Sequence, residues 1–144
     1  MTKIRIIEAL NSTDMEACYA IRTEVFCNEQ QVSREIEFDG LDAECHHYLA
    51  RIKENAVGTA RMRSVGKGII KFERIAVYMA NRGQQIGRAL MDRALADACN
   101  SGARCGVLNS QSSAVAFYIK LGFTQKGETF VEAGIPHVHM TKKL

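Results

Sequence analysis

The hydrophobic period of this chain changes at Val77, from strand-like to helical, and that change restricts the folds open to it. Upstream, His47 to Ile52, Val57 to Val65 and Ile69 to Val77 read as three strands. They are separated by Glu54-Asn55 and by Gly66-Lys67-Gly68, both hairpin signals, so an antiparallel meander is expected. Downstream, Ile86, Leu90, Ala94 and Ala98 recur at spacings of four, which is one face of a helix that Gly102 would end. A meander followed by an amphipathic helix predicts an α/β (α+β) fold, with helices flanking a mixed sheet.

The flanks extend this order. Lys3 to Glu8 alternates as a first strand, and Thr13 with Glu16 has the form of a capping box opening a helix that carries Cys18, Ile21 and Val25. Phe26 to Glu44 is polar and acidic, with Glu29, Glu35, Glu37, Asp39, Asp42 and Glu44 placed without a period, so a short helix and a loop are expected. Arg104 to Leu108 suits a buried strand. Ser112 or Ser113 can cap a further helix carrying Val115, Phe117, Tyr118 and Leu121 and ending at Gly122. Phe123 starts a return toward the sheet, and Pro136 to Met140 alternates as a last strand.

With 144 residues, 47% hydrophobic, 24% charged and one proline, the chain has the composition of one globular domain, residues 1–144, around one core. A formal charge of +3 falls short of a clustered basic stripe, so no nucleic-acid partner is expected, and a polyanionic small molecule suits it as well. No apolar run approaches the roughly 18 residues of a membrane span, and the first residues lack a signal-peptide core, which predicts a cytoplasmic protein with no membrane partner. The five cysteines contain no C-x-x-C pair and read as reduced thiols. Cys45-His46-His47 does not suggest a metal, because adjacent strand residues point to opposite faces.

Arg82-Gly83-Gln84-Gln85-Ile86-Gly87-Arg88 lies where a strand runs into a helix. Unpaired N–H groups and the helix dipole favour an anion there, glycines let the backbone approach it, and Arg82 and Arg88 add two guanidinium groups suited to phosphate. Taken alone, the same residues also describe a plain turn with solvated arginines.

Further along, Asn109-Ser110-Gln111 is followed by Ala114, Ala116, Phe117-Tyr118 and Lys120-Leu121-Gly122-Phe123. With the turn, these resemble the GNAT superfamily of N-acetyltransferases. Its signature is a strand, R-G-x-G-x-G/A opening a helix, another strand, and A-x-x-F-Y-x-K-x-G-F. The likeness runs from His47 to the end, and Glu132 to His137 with Met140 resembles a bacterial subgroup of small members. It implies a sheet splayed between its fourth and fifth strands, with acetyl-CoA as co-substrate, no metal, and the pyrophosphate on Arg82, Gly83, Gln84, Gln85, Ile86, Gly87 and Arg88. Gln85 departs from the pattern by replacing the middle glycine. Helical dihedrals there would make its Cβ harmless, with Gly83 and Gly87 supplying the clearance.

The resemblance further implies that an amine attacks the thioester directly, with Tyr118 as the acid that protonates the leaving thiolate. Tyr118 could equally be a core tyrosine. Two residues suit the base: Glu73 on the strand before the turn, which could instead pair with Arg74, and His137, in a P-H-x-x-M context found in some acetylases of small amines. The main chain of Ile75, Ala76 and Val77 would meet the pantetheine arm as if it were another strand, and one of those N–H groups would hold the oxyanion. Asn109, at the end of the neighbouring strand, would bond the pantetheine or simply end the strand. Phe117 sits beside Tyr118 in the same cofactor-binding motif. The acceptor pocket would combine Phe26 to Glu44 with residues near Glu132 and His137, and its acidity favours a cationic amine.

A non-catalytic acyl-CoA-binding regulatory module would keep the turn but could lack Tyr118 or a base. A Rossmann-type nucleotide binder would carry its glycine turn after the first strand, whereas here it lies past mid-chain. A homodimer is the default expectation from symmetry.

Overall fold

The computed structural model describes residues 3–144. Its strands are β1 (Ile4–Glu8), β2 (His46–Ile52), β3 (Asn55–Gly66), β4 (Ile69–Val77), β5 (Cys105–Gln111), β6 (Thr124–Glu132) and β7 (Ile135–Lys143). Its α-helices are α1 (Ser12–Arg22), α2 (Arg34–Glu37), α3 (Ile86–Asn100) and α4 (Val115–Lys120). A π-helical turn, Thr23–Glu29, continues α1. The sheet has the order β1-β2-β3-β4-β5-β7-β6, antiparallel except for β4 beside β5.

The meander forms as expected because its hairpins are local. The period-four face of α3 also behaves as read: Ile86, Leu90, Ala94 and Ala98 are all buried, together with Met91. They pack with Phe72, Leu108, Val138 and Met140 into the larger core cluster, which includes Tyr118. Burying one leucine of this kind contributes about 2 kcal/mol. The smaller core cluster contains Cys18, Ile21 and Val25 of α1 and the π-turn, packed with Leu49 and Ala76. Helices therefore cover both faces of the sheet.

Three local expectations are corrected. The α1 cap is Asn11, whose side chain accepts from Asp14 N–H at 2.8 Å, not Thr13. Ser112 and Ser113 form a 3₁₀ turn, and the cap of α4 is Ala114 with no side-chain bond. The return from Phe123 is a full strand, β6, joined to β7 by Ala133 and Gly134, both in left-handed backbone at φ 52 and 76.

The feature that makes a site is a failure of pairing. β4 and β5 are in register only at Ile69↔Cys105, Ile70↔Gly106 and Lys71↔Val107. Beyond Lys71 the two strands separate, as the resemblance implied. An irregularity in the β3–β4 ladder falls between Arg61↔Glu73 and Thr59↔Ala76, at Arg74, which adopts φ 58. Such a bulge bends a strand and re-aims its side chains, and here Glu73 and Arg74 both face the α1/α2 side.

Candidate active site

A cavity of about 620 Å³ fills the gap between β4 and β5. Its lining includes Phe72 to Val77 of β4, Asn109 and Gln111 of β5, Phe117 and Tyr118 of α4, and His137 of β7. On the α1/α2 side, Val25, Phe26, Val32 and Ile36 supply an apolar wall. Of the poorly patterned segment expected at the acceptor pocket, Phe26, Gln30, Val32, Ile36, Glu37 and Asp39 border the cleft, as do Glu132 and His137.

Tyr118 and His137 reach this cleft from opposite faces of the sheet. Side chains alternate along β7, so Val138 and Met140 enter the core that holds Tyr118, whereas His137 and His139 point to the other side. Tyr118 packs edge-on against Phe117 at 4.9 Å and Phe123 at 6.0 Å between ring centroids. Burial alone raises its phenol pKa, so the hydroxyl stays protonated through the neutral range.

His137 is held by the backbone. Its Nδ1 lies 2.7 Å from the Ile135 carbonyl oxygen, which can only accept, so Nδ1 carries a proton and, in the neutral ring, Nε2 keeps the lone pair. The ring stacks on Phe130, and Glu132 Oε2 is 3.8 Å from Nε2. Glu132 Oε1 accepts from Asn109 Nδ2 at 3.3 Å, and Asn109 Oδ1 accepts from His139 Nδ1 at 2.8 Å. Asn109 thus lies inside β5 rather than at its end, with its amide engaged by β6 and β7. Sequence spacing could not show this His139–Asn109–Glu132 chain, because the register of three strands creates it.

Glu73 has the opposite environment. Its carboxylate contacts Arg61, Arg63 at 2.9 Å and Lys71 at 3.4 Å, rather than Arg74. Burial pushes the Glu73 pKa up, but these three cations outweigh burial and hold it below the ordinary carboxylate value. A carboxylate so stabilised as an anion is a weak proton acceptor.

The acidic segment is likewise neutralised. Arg22, fully buried, bonds Glu37 and Asp42, each at 2.8 Å, and Arg61 bonds Asp39 and Asp42. Arg74 adds contacts to Glu37 at 3.0 Å and Asp39 at 3.3 Å. Its carboxylates stabilise buried arginines, so their number does not by itself favour a cationic acceptor. Among the described residues no group of three or more His, Cys, Asp or Glu side chains could hold a metal, and no helix is long and apolar enough to cross a membrane.

The turn before α3 is built differently from expectation. Gly83 adopts φ +81 with nothing within 4 Å of an added Cβ, and Gln85 adopts φ 66 and ψ 19, left-handed rather than helical. Gly87 serves packing instead: a Cβ there would meet Phe117 Cζ at 3.4 Å. Ile86 is buried, leaving only its backbone for a ligand. Arg82 bonds both Glu29 carboxylate oxygens at 3.0 Å and the Val77 carbonyl at 2.9 Å, while exposed Arg88 faces Asp92 at 3.8 Å. Gln84 is exposed beside them.

A strand pair that parts beside a glycine-bearing turn, with a tyrosine from the next helix at the parting, is the arrangement the sequence signature implied. Residues 10–144 match the family model "Acetyltransferase (GNAT) domain". The chain belongs to the GNAT acetyltransferases. It is 36% identical over 140 residues to an uncharacterised N-acetyltransferase of Bacillus subtilis, YjcF, covering 96% of this chain and 99% of that one. The crystal structure of an acyl-CoA N-acyltransferase from Pseudomonas aeruginosa matches with a TM-score of 0.85 and 29% identity, covering 99% of each chain. A GNAT family acetyltransferase from Elizabethkingia anophelis, solved with acetyl-CoA bound, shares the fold at a TM-score of 0.78 and 20% identity over 98% of each chain. This GNAT chain is an acetyltransferase.

Proposed function

We propose that the chain transfers an acetyl group from acetyl-CoA directly to the amine of a small molecule or peptide, with Tyr118 as acid and His137 as base. The observation that carries this reading is that Tyr118 and His137 border one cleft from opposite faces of the sheet. A thioester lying in the parted strands would then have a proton donor on one side and an acceptor on the other.

The cofactor's pyrophosphate would rest on the backbone N–H groups of the turn from Arg82 to Arg88, at the start of the 15-residue α3. The pantetheine would run along Ile75, Ala76 and Val77, where β4 has no ladder partner on its β5 side. His137 Nε2 takes a proton from the amine, directly or through water, as the nitrogen attacks the carbonyl carbon. A backbone N–H of β4 stabilises the oxyanion. When the C–S bond breaks, the Tyr118 hydroxyl donates to the thiolate. Glu73 then has a structural task, stabilising three cations, instead of serving as the base.

The test is free-thiol release from acetyl-CoA on adding a panel of primary amines, compared with the Tyr118→Phe variant. Amine-dependent release that falls about 10²-fold or more in the variant, with CoA affinity retained, is expected. CoA binding without release for any amine would instead support a regulatory acyl-CoA-binding module.

A further inference from the structure

The closed end of the cleft is positively charged. Lys71 is the last β4 residue paired with β5, and Arg63 is its partner across the β3–β4 ladder. Both line the cavity, with side chains 24% and 25% exposed. Each touches one carboxylate, and it is the same one: Glu73 accepts from Arg63 Nε at 2.9 Å and lies 3.4 Å from Lys71 Nζ. Arg22, Arg61 and Arg74 each reach at least two carboxylates. The network therefore sets five cations (Arg22, Arg61, Arg63, Lys71, Arg74) against four anions (Glu37, Asp39, Asp42, Glu73). Arg74, Glu37, Asp39 and Glu73 border the cleft too, but Arg63 and Lys71 are the pair that must share one carboxylate. Among the described residues, the two Nη groups of Arg63 have no protein hydrogen-bond partner.

The far end has the opposite character. Glu132 borders the cavity beside His137, and among the described residues no lysine or arginine pairs with it. An ammonium group arriving to be deprotonated by His137 would be drawn there. Along β5, Lys71 is level with Val107, and Gln111 pairs with His137, four residues on. That is about 13 Å of strand, shortened because the Lys71 side chain leans toward Glu73. Val25, Phe26, Val32 and Ile36 line the cleft with apolar surface.

We propose that the acceptor is an amine that also bears a carboxylate or phosphate, separated from the nitrogen by an apolar spacer and held by Arg63 Nη and Lys71 Nζ. This rests on the acyl-transfer reading above and names the substrate class for it. The charge-assisted bonds that such an anion would make are the strong kind, and the planar Arg63 fork suits two oxygens at once. An α-amino acid is too short to engage both ends of the cleft, so ω-amino acids are the better fit.

The experiment pairs each anionic amine with a neutral counterpart: γ-aminobutyrate with butylamine, ε-aminocaproate with hexylamine, and phosphoethanolamine with propylamine. Thiol release from acetyl-CoA gives kcat/KM for each, and the carboxylate and phosphate arms separate the two anions. The anionic member is expected to win by about tenfold or more in at least one pair. In Arg63→Gln and Lys71→Gln, that ratio falls toward one through KM, with CoA binding reporting that the variants are folded. A ratio of one or less in every pair of the native protein overturns the proposal. A second readout does not need turnover: calorimetry of the CoA complex with γ-acetamidobutyrate and with N-butylacetamide. Tighter binding of the anion, lost in Lys71→Gln, supports the anion site, whereas equal or undetectable binding of both overturns it. Failure of every amine to release thiol counts against the acyl-transfer reading, and the calorimetric result then still decides whether the anion site exists.

Discussion

Glu29 grips the Arg82 guanidinium with both carboxylate oxygens at 3.0 Å, tying the end of the π-helical turn to the start of the turn before α3. Arg82 is one of the two arginines, with Arg88, that the sequence offers to the pyrophosphate, and here its Nε also donates to the Val77 carbonyl. With the pyrophosphate on this turn, as proposed, CoA would compete with Glu29 for it. Glu29→Gln is therefore expected to tighten CoA binding by about two- to fivefold at low ionic strength, the scale of a partly exposed ion pair. The gain should fade in high salt. Calorimetric titration at two salt concentrations checks this, and weaker binding by the variant would show that Glu29 supports the site.

The turn also carries stored conformational cost. A non-glycine residue in left-handed backbone loses roughly 1 kcal/mol, and Gln85 at φ 66 is such a residue. Gln85→Gly is expected to leave the fold intact and raise the thermal midpoint slightly, since the added freedom of the unfolded chain offsets part of the gain. Gly83→Ala, at φ +81, should lower stability by about 1 kcal/mol or more. Parallel thermal melts of the two variants give the comparison, and a midpoint that falls on Gln85→Gly would remove the strain argument.

What the sequence made legible here was local. Ile86, Leu90, Ala94 and Ala98 declare α3 because the helical period needs only neighbours along the chain. The hairpins declare themselves through their turns. β6 did not, since it is an edge strand exposed over nearly its whole length, so no alternation marks it. The partners of Glu73 were hidden for a different reason: Arg61 and Arg63 meet it only through the β3–β4 register, and Lys71 through alternation along β4. The left-handed state of Gln85 was equally invisible, because glutamine is not a residue that announces positive φ. Family resemblance pointed to Tyr118 and His137, but only the strand register shows that both border one cleft from opposite faces of the sheet.

Glu73 and Asp39 give the fold an acid limit. Contacts with Arg61, Arg63 and Lys71 outweigh burial at Glu73, and hydrogen bonding to Arg61 outweighs burial at Asp39, so both carboxyls titrate below their ordinary values. Groups depressed in this way contribute stability above their unfolded pKa, about 4, and lose it as pH falls through the folded value. In urea unfolding the contribution of these two carboxylates should be intact from pH 8 to 5 and decline steeply below about 4. Glu73→Gln should lose about 3 kcal/mol at neutral pH, because buried Arg61 loses a partner, and its acid decline should be shallower. A Glu73→Gln protein with native stability would contradict the network.

If His137 is the base, His137→Gln keeps the ring's approximate volume but removes the Nε2 lone pair. kcat is then expected to fall by about 10² to 10⁴ with CoA affinity retained. A Glu73 base would leave kcat of this variant close to the native value. Steady-state kinetics across pH with one good amine distinguishes the two residues.

In the proposed reaction the parted strands hold the cofactor with its sulfur beside Tyr118. A crystal structure of the protein soaked with CoA tests it most directly. The pyrophosphate should lie on the N–H groups of residues 82–88, the pantetheine along Ile75 to Val77, and the thiol within about 3–4 Å of the Tyr118 hydroxyl. CoA bound away from the β4–β5 cleft, or with its thiol on the far side of the sheet from Tyr118, would contradict it.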